Sequence, residues 1–157
     1  GGAVVIAGGA GTAGNANGGA LTLRGGAKNG SGTDGAIAIG DSNTASVTFG
    51  KMPRIPTATV AATGSVQGDA AAVVEGFTLV TAADATKGVI LPSAVAGMQV
   101  IIKNADAANA ILKIYPNTSD AINALSANAA LSIAAKTSVL LVAYDATTWY
   151  TLPLLAS

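Results

Sequence analysis

The sequence contains neither cysteine nor histidine. Without cysteine the chain forms no disulfide and offers no thiol nucleophile. Without histidine it lacks the base of a serine-type triad and, with cysteine also absent, the usual ligands of zinc. These absences exclude thiol chemistry, a histidine-based triad and a zinc site of the usual ligands, and we expect no cofactor and no metal.

Charge is also scarce, since charged residues make up only 10% of the chain and the eight basic residues balance the eight acidic ones. No run of lysine and arginine forms a basic stripe, so we expect no nucleic-acid binding. The long charge-free stretch between Asp120 and Lys136 is interrupted by asparagine and serine. It is too short and too polar to span a bilayer, so no membrane insertion is expected.

Glycine is concentrated at one end, with fifteen of the twenty glycines in the first 50 residues. This part contains three similar segments, 1–17, 18–33 and 34–50, in which a Gly-Ala step precedes a short β-like stretch. The larger apolar residues recur at every second position, which indicates short strands with one buried face. We predict that these residues pack within a stem, and they are Val4, Ile6, Leu21, Leu23, Ile37, Ile39, Val47 and Phe49.

Strands of this length cannot be stable alone, because each buries too little apolar area to offset the entropy of its glycine-rich turns. They need neighbouring strands. Two arrangements provide them: the repeats stack on each other as a solenoid, or three chains wind around a shared axis where glycine permits close backbone approach.

Gly9, Gly11 and Gly14 match the GxGxxG pattern of a dinucleotide-binding turn. That pattern requires a helix directly after it, whereas "NANGGALTLRGG" follows here and cannot sustain one. The glycines are therefore interpreted as structural.

The composition changes after residue 50, and 51–69 reads as a connector because Pro53 and Pro56 withhold backbone donors. We expect it to be extended and paired on one side at most. The remainder, 70–157, predicts an antiparallel β domain of the sandwich or jelly-roll type, with short strands separated by turn residues. The candidate strands are 77–81, 88–91, 98–104, 111–115, 121–125, 131–134, 137–144 and 148–152. Segment 120–136 also allows a helix capped by Asp120, but two strands are favoured.

Two sets of residues are candidates for chemistry or binding. Asp34, Asp41, Asp84, Asp106, Asp120 and Asp145 lie in or beside turn sequences, where aspartate commonly binds the following backbone. A glycosidase would instead bring two carboxylates within about 5–10 Å of each other. Tyr144, Trp149 and Tyr150 form either a sugar-stacking surface or a packing anchor, and packing is favoured.

The segments "GGALTLRGG", "GSGTDGAIAIGDSNTASVTFG", "GVILPSAVAGMQVIIKNADAANAILKIYP" and "SVLLVAYDATTWYTLP" together resemble tailed-bacteriophage virion proteins of the fibre, spike and head-decoration type. The resemblance implies a β-rich homotrimer with a glycine-rich stem on a threefold axis, exposed on the particle surface. It also implies structural roles for the glycine turns at Gly8, Gly9, Gly25, Gly26, Gly32 and Gly35. No catalytic residue of that group maps onto this chain.

The sequence therefore predicts an all-β, non-enzymatic virion surface protein. Its expected partners are its own copies, other capsid or tail proteins and, for a tail fibre, a host surface glycan. Two alternatives stay open: a tail spike that degrades polysaccharide, and a bacterial surface adhesin module.

Overall fold

A computed structural model of the chain describes residues 6–10, 12, 14, 17–32, 35, 37, 39, 47, 49, 52–108 and 110–154. The chain divides into two compact units, Gly1–Met52 and Pro53–Ser157. Every strand found among the described residues lies in the second unit.

The second unit is built from short strands rich in valine, isoleucine, leucine and threonine, residues that suit a pleated and half-buried surface. In chain order they are β1 (Thr57–Ala61), β2 (Ala71–Ala72), β3 (Phe77–Thr81), β4 (Gly88–Ile90), β5 (Gln99–Asn104), β6 (Leu112–Tyr115), β7 (Ala121–Ile122), β8 (Leu131–Ile133), β9 (Ser138–Ala143) and β10 (Thr148–Leu152). One 3-10 turn, Gln67–Asp69, lies between β1 and β2. The predicted all-β class is confirmed.

The strands form a six-stranded sheet in the order β1-β3-β5-β9-β10-β7 and a four-stranded sheet in the order β2-β4-β6-β8. From β1 to β6 the chain alternates between the two sheets, and each strand pairs in parallel with the strand two places later. Consecutive strands, one in each sheet, thus make up a coil. Three such coils, β1 with β2, β3 with β4 and β5 with β6, stack in a β-solenoid-like arrangement. The antiparallel pairs β5–β9, β9–β10 and β6–β8 complete the sheets, while β7 lies parallel to β10.

One hydrophobic core contains the inward side chains of both sheets. Val80, Ile102 and Leu141 come from the six-stranded sheet, and Val89 and Ile114 come from the four-stranded sheet, all with no exposed surface. Burying an aliphatic side chain of this kind contributes about 1.5–3 kcal/mol. The core therefore supplies the main stabilisation of the second unit.

The outer side of the four-stranded sheet is bound by the segment that carries the 3-10 turn. The Tyr115 hydroxyl donates to the carbonyl of Ser65 at 3.0 Å, and the Gln67 amide donates to the carbonyl of Pro116 at 2.8 Å. A Cβ placed on Gly88 would lie 2.8 Å from the Tyr115 ring, so glycine allows this ring to lie flat against β4.

The strand positions predicted for the second unit are confirmed, because each of the eight candidate segments contains one of β3 to β10. Segment 120–136 contains β7 and β8, as the two-strand interpretation expects. β1 lies inside 51–69 and pairs on one side only, with β3, which agrees with the extended and one-sided pairing expected there.

The antiparallel sandwich or jelly roll predicted for 70–157 is not confirmed, because β2–β4, β3–β5 and β4–β6 pair in parallel. An antiparallel sheet would use the turn residues between these strands as hairpins. They connect one sheet to the other instead, so a strand returns to its own sheet only after a complete coil.

In the first unit, the short strand expected at Leu21 and Leu23 is not formed, since 17–32 is irregular apart from a turn at 30–31. The backbone hydrogen bonds that this segment makes to other described residues, from Gly19 to Gly9 and from Gly35 to Gly26, are isolated and do not form a ladder. The strands expected around Val4, Ile37, Ile39 and Val47 include residues outside the described part of the chain.

Candidate functional site

The apolar residues predicted to pack in the stem are exposed wherever the single chain describes them. Their exposed fractions are 67% for Ile6, 49% for Leu21, 61% for Leu23, 46% for Ile37, 65% for Ile39, 46% for Val47 and 64% for Phe49. Val4 lies outside the described residues. None of the seven belongs to the buried core cluster, so their burial would require contacts that one copy does not make.

Two glycine contacts recur in the first unit at equivalent points of the repeat. The Gly19 amide donates to the carbonyl of Gly9 at 2.6 Å, and the Gly35 amide donates to the carbonyl of Gly26 at 2.8 Å. A Cβ built on Gly25 would lie 1.7 Å from the carbonyl oxygen of Gly35. No side chain fits there, so the backbone itself closes each loop of the repeat.

The remaining glycine turns named above differ from one another in how crowded they are. A Cβ on Gly8 would lie 2.0 Å from the Gly19 carbonyl oxygen, whereas one on Gly9 or Gly26 would meet nothing within 4 Å. The Gly32 amide donates to the carbonyl of Asn29 at 3.3 Å and closes a turn. The glycine requirement is therefore strict at Gly8 and Gly25.

The three aromatic candidates occupy different environments. Trp149 has no exposed surface and belongs to the core, and its indole Nε1 has no hydrogen-bond partner among the described residues. Tyr144 and Tyr150 are 72% and 43% exposed, and their rings meet edge to face with centroids 6.0 Å apart. A surface contact can thus involve the two tyrosines but not the tryptophan.

Asp84 and Asp145 each organise a turn with the sequence Asp-Ala-Thr. The Asp84 carboxylate accepts hydrogen bonds from the Thr86 hydroxyl at 2.7 Å and from the amides of Thr86 and Lys87 at 2.9 and 2.8 Å. The hydroxyl contact and then these amides hold the pKa of Asp84 well below its usual value. The Thr147 amide, at 2.8 Å, is the main cause of a lowered pKa at Asp145.

Asp106 and Asp120 are buried, with 6% and 5% exposed surface, and each accepts a backbone hydrogen bond across a loop. The partners are the amide of Ala110 at 3.0 Å and the amide of Ala94 at 3.2 Å. Asp34 and Asp41 lie outside the described residues. In the described part of the chain, no three carboxylate side chains come together as a metal site would require.

A groove of about 430 Å³ opens where β3 and β5 begin. Val73, Val74, Pro92 and Met98 supply most of its lining, and Glu75 is its acidic side chain. The described lining thus offers one carboxylate, whereas a glycosidase of the usual kind uses a pair.

A larger apolar surface lies on the outer side of the six-stranded sheet. Paired positions place Phe77, Ile101, Leu140 and Leu152 in one row across β3, β5, β9 and β10. We define the outer face as the side chains that point away from the core around this row: Phe77, Leu79, Ile101, Leu140, Val142, Tyr150 and Leu152. Only Tyr150 among them was a candidate from sequence, although the unbroken apolar runs "VII" and "VLLV" signal strands that are apolar on both faces.

Comparison of the chain with protein-family models, with curated proteins and with solved structures finds no match. Among the described residues, no helix has the length and apolar character needed to cross a membrane. The functional conclusion therefore depends on the chain's own residues and on the resemblance noted above.

Proposed function

We propose that the protein is a non-enzymatic structural component of a bacteriophage virion surface. It would act as a homotrimeric head-decoration fibre or spike, or as a tail fibre, in particle stabilisation or host-surface attachment. The observation that carries this proposal is the exposure of the alternating apolar side chains between Ile6 and Phe49.

Self-association explains that exposure. Soluble monomers rarely leave such a series of large apolar side chains in water, and an assembly would bury them. At the close glycine contacts, such as Gly25 against Gly35, no side chain adds to the width of the backbone. Such loops let several chains approach one axis, which favours the shared-axis stem over a self-contained solenoid.

The carboxylates of the second unit support a structural role over a catalytic one. Asp84, Asp106, Asp120 and Asp145 each accept a hydrogen bond from a backbone amide in a turn or loop. For attachment to a host glycan, Tyr144, which is 72% exposed, offers an aromatic ring that a sugar could contact.

The mass of the full chain in solution tests the assembly. Light scattering at low micromolar concentration should give three times the 15.0 kDa chain mass. Replacing both Ile37→Asp and Ile39→Asp should lower that mass to one chain, because buried, unpaired carboxylates would disrupt an apolar stem. The second unit should keep its β-sheet circular dichroism.

A matched control introduces the same two charges at polar or small positions of the same unit, Ala20→Asp with Thr22→Asp. This variant should stay assembled. A monomeric wild-type chain, or equal masses for the two double variants, would contradict the trimeric stem. Immunogold microscopy of purified virions with an antibody against the second unit tests the particle location, and unlabelled particles would refute it.

A further inference from the structure

We infer that the outer face of the six-stranded sheet forms a second contact between copies of this chain, in addition to the contact proposed for the stem. In part this rests on the proposed function, since the stem holds the copies together while the outer faces meet. The partners are the other copies of the same assembly, each turning this apolar surface toward the shared axis.

The outer face is apolar along its central row, and the outward positions Gln99, Lys103 and Ser138 beside that row are polar. The row Phe77, Ile101, Leu140 and Leu152 crosses four paired strands, so it runs about 14 Å at the usual strand spacing. Val142 and Tyr150 form a neighbouring row beside Gln99. Leu152 and Tyr150 are 55% and 43% exposed in the single chain.

The outer side of the four-stranded sheet carries polar or covered residues instead. Its outward positions include Lys113 and Ser132, which pair with each other, and the Ser65–Gln67 segment binds it through Tyr115 and Pro116. The chain thus makes the outside of one sheet polar or covers it. The outside of the other sheet stays apolar and part-exposed.

The scarcity of charged residues on the outer face indicates which kind of partner it fits. Among the outward positions of β3, β5, β9 and β10, Lys103 is the one charged residue, and its ammonium donates to the carbonyl of Lys136. A nucleic acid or an acidic protein would gain little from this surface. A neutral apolar surface is the fitting partner, and each further copy of the chain carries one.

The outer face is too small to form a stable interface without the stem. Four strands of five or six residues cover roughly 300–400 Å² in projection, whereas a stable pairwise interface needs about 800 Å² from each partner. The outer face alone would give a weak contact. When another interface already holds the copies at high local concentration, a weak contact is sufficient.

Cross-linking of single-cysteine variants tests the inference, because the natural chain contains no cysteine. The full-length variant Leu140→Cys is treated with a bis-maleimide spanning about 10 Å, the usual distance between packed sheets. We expect covalent dimers on a denaturing gel. The matched control, Ser132→Cys on the outside of the four-stranded sheet, should give few or none.

A charge variant gives a second readout. Leu140→Glu should weaken association roughly tenfold or more, since a carboxylate would lose its hydration at the contact, while Ser132→Glu should leave association unchanged. Circular dichroism confirms that each variant retains its β-sheet. A folded Leu140→Glu variant that associates like the wild type would overturn the inference.

The outcomes separate the two proposals. A trimeric mass without cross-linking at Leu140→Cys refutes the outer-face contact and leaves the trimer standing. A monomeric mass refutes the proposed trimer directly, and absent cross-linking then refutes the second contact as well. A thiol at position 140 that fails to react even with a mono-maleimide in a monomeric chain would show that the chain covers this face itself.

Discussion

At the scale of single residues, Asp84 shows how a short turn sequence becomes a pH-dependent element. One carboxylate accepts hydrogen bonds from the Thr86 hydroxyl and from two backbone amides, and Lys87 Nζ lies 3.2 Å from its second oxygen. All of these donors favour the charged form. The folded state therefore holds the proton less tightly than the unfolded chain does.

The stability of the second unit should consequently decrease in acid. In the unfolded chain Asp84 binds a proton near its ordinary pKa of 3.8, whereas in the folded chain it does so only at lower pH. The stabilisation is fully present above the unfolded pKa and is lost as the pH falls below it. Urea unfolding followed by circular dichroism between about pH 7 and pH 2 measures this slope.

Two variants isolate the Asp84 contribution. Asp84→Asn keeps an acceptor for the turn but cannot titrate, so the acid decrease should become shallower. Thr86→Val retains the carboxylate and removes its largest stabilising contact, so it should also flatten the slope but to a smaller extent. Slopes identical to the wild type would show that other carboxylates dominate acid unfolding.

At the scale of elements, the loops of the first unit depend on backbone contacts that sequence periodicity does not report. Alternation predicted that the apolar residues between Ile6 and Phe49 pack in a stem, and in the single chain they are exposed. It gave no sign of the carbonyl of Gly35 lying against Gly25. Such contacts depend on where the chain turns back, which is set by backbone angles that a run of glycines leaves undetermined.

Adjacent glycines give a matched test of this contact. Gly25→Ala should disrupt the loop, because a Cβ 1.7 Å from the Gly35 carbonyl oxygen forces the backbone apart. A destabilisation of about 1–3 kcal/mol is typical of such strain. Gly26→Ala meets nothing within 4 Å and should be tolerated. Hydrogen exchange of the Gly35 amide should accelerate only in the first variant.

Strand positions in the second unit could be predicted because alternation reports burial directly. The direction of pairing could not, since the turn residues between β3 and β4 or between β5 and β6 suit a hairpin as well as a crossing to the other sheet. β2 was not predicted because its two alanines show no alternation of apolar and polar residues. β1 was hidden behind Pro53 and Pro56, although its one-sided pairing was expected.

The candidate site likewise contains residues that the sequence predicts and residues that it does not. Residue type and spacing predict the stem residues, which stay a prediction, and make Tyr144, Trp149 and Tyr150 candidates without separating the two exposed rings from the buried one. The row from Phe77 to Leu152 could not be identified because it joins four strands whose order along the sheet depends on the coiled topology. A surface of this kind exists only once the register between strands is known.

At the scale of the whole molecule, scarcity of charge determines how copies should attract one another. The basic and acidic residues balance, and Lys87 with Asp84 forms an exposed ion pair. Association should therefore depend on apolar burial and change little with ionic strength.

Light scattering in about 0.05 M and about 1 M sodium chloride tests this expectation. The mass should be the same in both, with association if anything slightly stronger in concentrated salt. Dissociation on adding salt would indicate an interface held by charged groups, and the apolar contacts proposed here would then be wrong.

The buried indole of Trp149 has a practical consequence. It is the sole tryptophan of the chain, it lies in the core of the second unit, and its exposed surface is 0%. Its fluorescence therefore reports one structural unit alone, with a blue-shifted emission maximum while the coils are intact and a red shift when water reaches the ring. Loss of the stem would be invisible to this emission, so the chain carries its own optical means of distinguishing disassembly from unfolding.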